Sequence, residues 1–126
     1  MRHLVALGLL IAGVIHLLPL TGLLGSAHLA ALYGLPFDEP NLAILMRHRA
    51  VLFGLLGAYL VLAAFKPAHR VIACVGGLIS VVAFLALAWS TGGTNPQLDR
   101  VVLADLVALA GLLVSAAAMA WSTRHS

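Results

Sequence analysis

Charged side chains are almost missing from this chain. Asp, Glu, Lys and Arg make up 9% of its 126 residues, against 63% hydrophobic residues and a mean hydropathy of +1.10. That balance excludes an ordinary soluble domain, in which about a quarter of residues are charged. Cysteine is just as scarce. A single Cys74 excludes an internal disulfide, and inside an apolar stretch it reads as a small packing residue rather than a redox centre. No His-x-x-x-His pair occurs, and no glycine-rich phosphate cradle follows a strand; Thr91-Gly92-Gly93-Thr94-Asn95-Pro96 has the composition of a plain turn.

What is present is apolar sequence in lengths that span a bilayer. About 20 helical residues cover a hydrocarbon core of roughly 30 Å. Four stretches reach that length: Leu4–Leu24, Asn41–Phe65, Arg70–Ser90 and Leu98–Trp121. The chain therefore reads as all-α, a polytopic membrane protein with four transmembrane helices in one bundle. It forms one domain over residues 1–126, and Ser26–Tyr33 forms a short interfacial helix after the first span. Arg2, the apolar run and Gly25-Ser26-Ala27 have the outline of a cleavable signal peptide, but His16 is atypical inside one, so a retained first span is expected.

Basic residues set the expected orientation. With four alternating spans, Arg2, Lys66, Arg70 and Arg124 share one side, while the opposite loops carry Asp38 and Glu39 and no Lys or Arg. The positive-inside rule makes the first side cytoplasmic, with both termini in, as in a bacterial inner membrane. Trp89 and Trp121 fall at opposite interfaces. A pI near 9.8 would suggest nucleic acid in a soluble protein; here four of the seven basic residues act as topology signals, and nucleic acid is discounted.

Local signals mark the helix ends. Pro19 should kink the first span or end its last straight turn, and Lys66-Pro67 ends the second. Asp38 and Glu39 precede Pro40-Asn41, placing acidic groups at the positive end of the second span. Helices in lipid associate through small residues. Gly8, Ala12 and Gly13 form such a stripe on span one, Ala50, Gly54, Gly57 and Ala64 on span two. Spans three and four offer Ala73, Gly76, Gly77, Ser80 and Ala83, and Ala104, Ala108, Gly111 and Ser115.

These stripes orient the polar residues. His16 continues the stripe of span one, Arg47 precedes Ala50 by three, and Asp105 adjoins Ala104 and Ala108. All three should face the interior, roughly 9 to 12 Å below the outer surface at ~1.5 Å per residue. A charge in hydrocarbon costs about 2.5 to 3.5 kcal/mol, so Arg47 and Asp105 are expected to pair. His48 could reach the bundle or an adjoining subunit. Arg49 shares its face with Phe53, Leu56 and Leu60 and should snorkel from a lipid or subunit face, with Asp99 and Arg100 as a rim. The remaining histidines, His3, His28, His69 and His125, read as surface residues.

The segments Gly13-Val14-Ile15-His16-Leu17-Leu18-Pro19, Leu32-Tyr33-Gly34, Pro40-Asn41-Leu42 and above all Leu45-Met46-Arg47-His48-Arg49-Ala50-Val51-Leu52-Phe53-Gly54 carry a resemblance. Over nearly its whole length the chain resembles a group of small bacterial membrane proteins loosely similar to DoxX-like four-helix proteins. The resemblance implies a fold and supplies no reaction. Sequences of this kind sometimes carry the name phosphopantetheine adenylyltransferase, which a chain without a nucleotide-binding strand or a soluble α/β domain does not support.

The expected function is an outer-half polar pocket for a small amphipathic or lipid-like ligand of quinone or isoprenoid type. If it catalyses an isomerisation or hydration, His16 carries the proton, Arg47 stabilises an anion or carbonyl, and Asp105 orients or acts as base. His48, Arg49, Asp99 and Arg100 would line the ligand. Two other readings stay open. The charges could serve only to fix register in a structural or accessory subunit, either as a homo-oligomer or with a membrane-protein partner. Alternatively His16, His48 and Asp105 could hold a metal, or two histidines a haem, although Arg47 and Arg49 oppose a cation there.

Overall fold

The structure, a computed structural model, describes residues 1–20, 26–35 and 39–125. Its elements are α1 (Arg2–Leu17), α2 (Ser26–Tyr33), α3 (Pro40–Phe65), a 3-10 turn at Pro67–His69, α4 (Arg70–Thr91) and α5 (Pro96–Arg124). No strand occurs among the described residues. Four of the helices are long and apolar enough to cross a membrane, over Arg2–Leu20, Pro40–Phe65, Pro67–Thr91 and Pro96–Arg124. The expected end of the first span at Leu24, the acidic Asp38 and the side chain of His28 lie outside the described residues.

Helix ends follow local chemistry. α1 tightens into a 3-10 turn at Leu18–Leu20, where Pro19 removes a backbone donor. The Glu39 carboxylate caps α3, accepting from the backbone N–H of Asn41 at 3.1 Å and of Leu42 at 2.8 Å, with Pro40 in the first turn. At the far end of α3 the Arg70 guanidinium donates to the carbonyls of Ala63 and Ala64, where a cation complements the helix dipole. Asn95 opens α5 by accepting from Leu98 N–H at 2.8 Å.

The helices close a ring in which α1 packs between α3 and α5, and α4 completes the circuit against both. Small residues make α1 central. A methyl added at Gly8 would lie 2.2 Å from the Gly111 carbonyl oxygen, and one added at Gly57 would lie 2.8 Å from that of Gly13. Such backbone approach substitutes for hydrophobic drive where the surroundings are apolar. Two sulfur or hydroxyl donors add polar ties: Ser115 Oγ donates to Val5 O at 2.9 Å and Cys74 Sγ to Leu112 O at 3.5 Å. Leu9, Leu60, Val81 and Leu112 fill the centre. The outward surface is apolar too, with Leu7, Val14, Leu55, Ile72, Ile79, Leu87 and Leu103 all exposed.

α3 uses two faces at once. Gly54 and Gly57 meet Leu20, Leu17 and Gly13 of the α1 segment, so the small stripe looks toward α1. Leu60 instead reaches Gly77 of α4, and Leu56 reaches Gly76. The row Arg49, Phe53, Leu56, Leu60 therefore points across the ring toward α4.

Candidate ligand-binding site

That second face moves the buried cation. Arg47 and His48 are exposed, whereas Arg49 is half-buried. The expectation that Arg47 faces the interior and Arg49 the exterior is thus reversed. Arg47 precedes the small stripe, whose Gly54 and Gly57 meet the α1 segment, while Arg49 lies on the row that crosses the ring.

Arg49 occupies an aromatic surround built from three elements. Its guanidinium carbon lies 4.3 Å from the ring centroid of Phe53, 5.4 Å from that of Tyr33 and 5.8 Å from that of Phe84. Each is within the range of cation–π attraction. One Nη donates to the Tyr33 hydroxyl. Tyr33 is placed by Asn95, whose Nδ2 donates to Tyr33 O at 2.9 Å while its Oδ1 caps α5. What reads in the sequence as a plain turn is therefore the strut that ties α2 to α5.

Asp105 is 8% exposed and falls on the buried row Ala108, Leu112, Ser115 of α5. Its interior placement agrees with the sequence, and Arg49 is within electrostatic reach of it. His16 is also interior, at 2% exposure. Its partners differ from those expected: Nδ1 lies 2.8 Å from Ala12 O and Nε2 3.2 Å from Ser80 Oγ, with Phe53 beside the ring. Because a carbonyl only accepts, Nδ1 carries the proton in the neutral ring and Nε2 accepts from Ser80. The imidazole is a bridge between α1 and α4.

Two cavities flank Tyr33. The smaller, about 260 Å³, lies between α1, α2 and α5; Asp105, Arg100 and Gln97 are its polar walls, and Ile15, Leu18 and Leu32 are among its apolar ones. The larger, about 800 Å³, is a groove between α3 and α4. Leu42, Met46, Phe84, Leu87 and Leu98 supply apolar walls, Arg49 the charge, and Thr91–Asn95 the end. Exposed Leu42 and Leu87 flank it, so it opens sideways onto the apolar outside of the bundle.

Asp99 and Arg100 are exposed, with Asp99 accepting from Thr94 Oγ1. His16 is not among the residues lining either cavity, and Arg47 is exposed where His16 and Asp105 are buried. Three His, Cys, Asp or Glu side chains in metal-binding proximity do not occur among the described residues. His16 and His48 look into different surroundings, one buried and one exposed. Sequence reasoning missed Tyr33, Phe84, Ser80 and Asn95 as positioning residues. Only Asn95 carried a local signal, as a polar cap before Pro96.

Fold and site together define an all-helical, four-span-length bundle with a cation-bearing apolar groove at its α2 end. No family model, curated protein or solved structure matches the chain.

Proposed function

We propose that this protein is a small integral protein of a bacterial inner membrane that binds an amphipathic or lipid-like ligand in its outer half, with both termini cytoplasmic. The apolar outward surface and the basic residues Arg2, Lys66, Arg70 and Arg124 support that placement. The observation that carries the binding reading is Arg49. A half-buried guanidinium among three aromatic rings lines a groove of about 800 Å³ whose other walls are mostly apolar. A pocket of that size, with one polar anchor in greasy walls, suits a head group with an attached tail. Its sideways opening lets such a molecule enter from the bilayer. Binding is the function proposed, with His16 as a bridge between α1 and α4.

The test is extraction of lipids from detergent-purified protein, followed by mass spectrometry. A defined species should accompany the wild type and be depleted in Arg49→Met while Arg47→Met retains it. Equal retention in the two variants would overturn the reading. A subunit role draws support from one observation: His48 is exposed among exposed Leu45, Leu52 and Leu55, where a partner helix could accept it.

A further inference from the structure

At the end of the bundle opposite the Arg49 groove, two arginines share a cavity. About 300 Å³ in volume, it lies between the start of α1, the start of α4 and the end of α5. Arg2, Arg70 and Ser122 are among its polar walls, and Val5, Val71 and Met119 among its apolar ones. Val5 is buried, whereas Val71 is exposed on the apolar outside of the bundle. A cationic wall and a greasy one thus meet at the level where the helices end.

Arg70 is held in place before any ligand arrives. Its Nε donates to Ala63 O at 3.1 Å and one Nη to Ala64 O at 2.6 Å, while the other Nη lies 3.5 Å from Arg2 O. All three acceptors are neutral carbonyls, so no counter-charge offsets the guanidinium. It carries five N–H groups, and two remain beyond these three bonds among the described residues. Acidic side chains belong to the other end. Glu39 caps the far terminus of α3, and Asp105 lies about four turns of α5 before Met119. Asp99 is earlier still on α5, and Asp38 adjoins Glu39 in the sequence. Two like charges on one small space repel, and an anion between them removes that cost while gaining charge-assisted hydrogen bonds. Capping α3 explains the carbonyl bonds of Arg70; it does not explain the cavity that Arg70 shares with Arg2.

We infer that this cavity seats the phosphate of an anionic phospholipid, with Arg2 and Arg70 on the phosphate oxygens and the first part of an acyl chain along Met119 and Val71. Basic pockets between helices on the cytoplasmic side of a membrane take such head groups. The apolar walls favour a lipid over a free phosphate ion. The inference rests on the membrane placement proposed above and is independent of any ligand in the α3–α4 groove.

Trp121 adjoins Ser122 and reports on the cavity by fluorescence; Trp89→Phe leaves it as the one tryptophan of the chain. The full-length Trp89→Phe protein is reconstituted in phosphatidylcholine vesicles, into which brominated phosphatidylglycerol or brominated phosphatidylcholine is titrated. Quenching of Trp121 should show a preference of about fivefold or more for the anionic lipid, the effect of one basic residue near a membrane surface. Arg2→Gln and Arg70→Gln should each reduce that preference by about threefold or more. Arg124→Gln removes a charge from the same end of the bundle but not from the cavity wall, and should keep most of it. An equal loss in Arg124→Gln would mean a diffuse basic surface and overturn the site. Excess inorganic phosphate at constant ionic strength should leave the quenching unchanged; relief of quenching would overturn the lipid as occupant in favour of a free phosphate ion. Equal quenching by the two lipids would overturn the inference and leave the ligand reading of the groove standing. Quenching by neither would overturn the membrane placement as well. If Arg70→Gln fails to fold by circular dichroism, Arg2→Gln, at an exposed position, decides together with the unsubstituted ratio.

Discussion

The imidazole of His16 bridges α1 and α4, with Nδ1 2.8 Å from Ala12 O and Nε2 3.2 Å from the Ser80 hydroxyl. Interhelical hydrogen bonds of this kind contribute about 0.6 kcal/mol on average and up to roughly 1.7. His16→Leu should therefore lower stability in detergent by about 1 kcal/mol, and Ser80→Ala by a similar amount. The double variant should cost less than the sum. His16→Gln, which offers an amide acceptor, should recover part of the loss and retain ligand binding. Loss of all binding in a folded His16→Gln protein would restore His16 as a functional group.

Close backbone approach makes a sharper stability prediction. A Cβ at Gly8 meets Ser115 Oγ at 2.1 Å and the Gly111 carbonyl oxygen at 2.2 Å, and a carbonyl cannot swing aside. Gly8→Ala should destabilise by about 1 to 3 kcal/mol, as overpacking does. Gly76 belongs to a comparable sequence stripe, yet a Cβ there meets only Leu56 Cδ1 at 3.7 Å. Gly76→Ala should be near neutral in thermal unfolding, since helix propensity favours it and nothing obstructs it.

The contrast between these glycines shows where sequence reading stops. Four apolar lengths, Pro67 and the Asn95-Pro96 pair made the helices legible, because hydropathy and backbone chemistry are local. The stripes on α1 and α5 were legible as well: His16 and Asp105 continue them and are interior. On α3 two adjacent rows compete, one of small residues and one of Phe53, Leu56 and Leu60. Which row looks across the ring depends on the position of α4, and no local periodicity encodes that. The reversal of Arg47 and Arg49 follows directly.

Topology is open to direct measurement. With Cys74 replaced by Ala, a cysteine introduced at Ala68 in the α3–α4 turn should resist impermeant thiol reagents in intact cells. One introduced at Gly93 in the α4–α5 turn should react. The expectation rests on Lys66 and Arg70 flanking the first turn and on the lack of Lys or Arg in the second. Reaction at Ala68 from outside would invert the orientation.

Glu39 links the start of α3 to pH. The backbone N–H groups of Leu42 and Asn41, with the Asn41 side-chain amide, hold its carboxyl below its ordinary value of 4.5. A depressed carboxyl contributes stability above its unfolded value and loses it as pH falls through the folded one. The Asn41 and Leu42 amides should stay protected at neutral pH and lose protection below about 4.5. NMR amide exchange in micelles checks this. Glu39→Gln should weaken the cap at neutral pH and remove the acid-dependent step; an unchanged step would assign it to another group.

The decisive pair for the site is Arg49 with Asp105. Residues whose charges interact in a poorly hydrated interior show coupling of roughly 0.5 to 3 kcal/mol, and residues without shared partners add within about 0.5. Arg49→Leu and Asp105→Leu should each destabilise the bundle, because each leaves a charge facing an apolar interior. Together they should cost less than their sum by about 1 kcal/mol or more. Arg47→Leu, at an exposed position, should combine additively with Asp105→Leu. The three single and two double variants can be compared by unfolding in mixed detergent micelles, with circular dichroism confirming the helices. Additivity for Arg49 and coupling for Arg47 would mean that the small stripe of α3, rather than the Phe53–Leu60 row, faces the charged interior. The groove assigned to Arg49 would then lose its anchor.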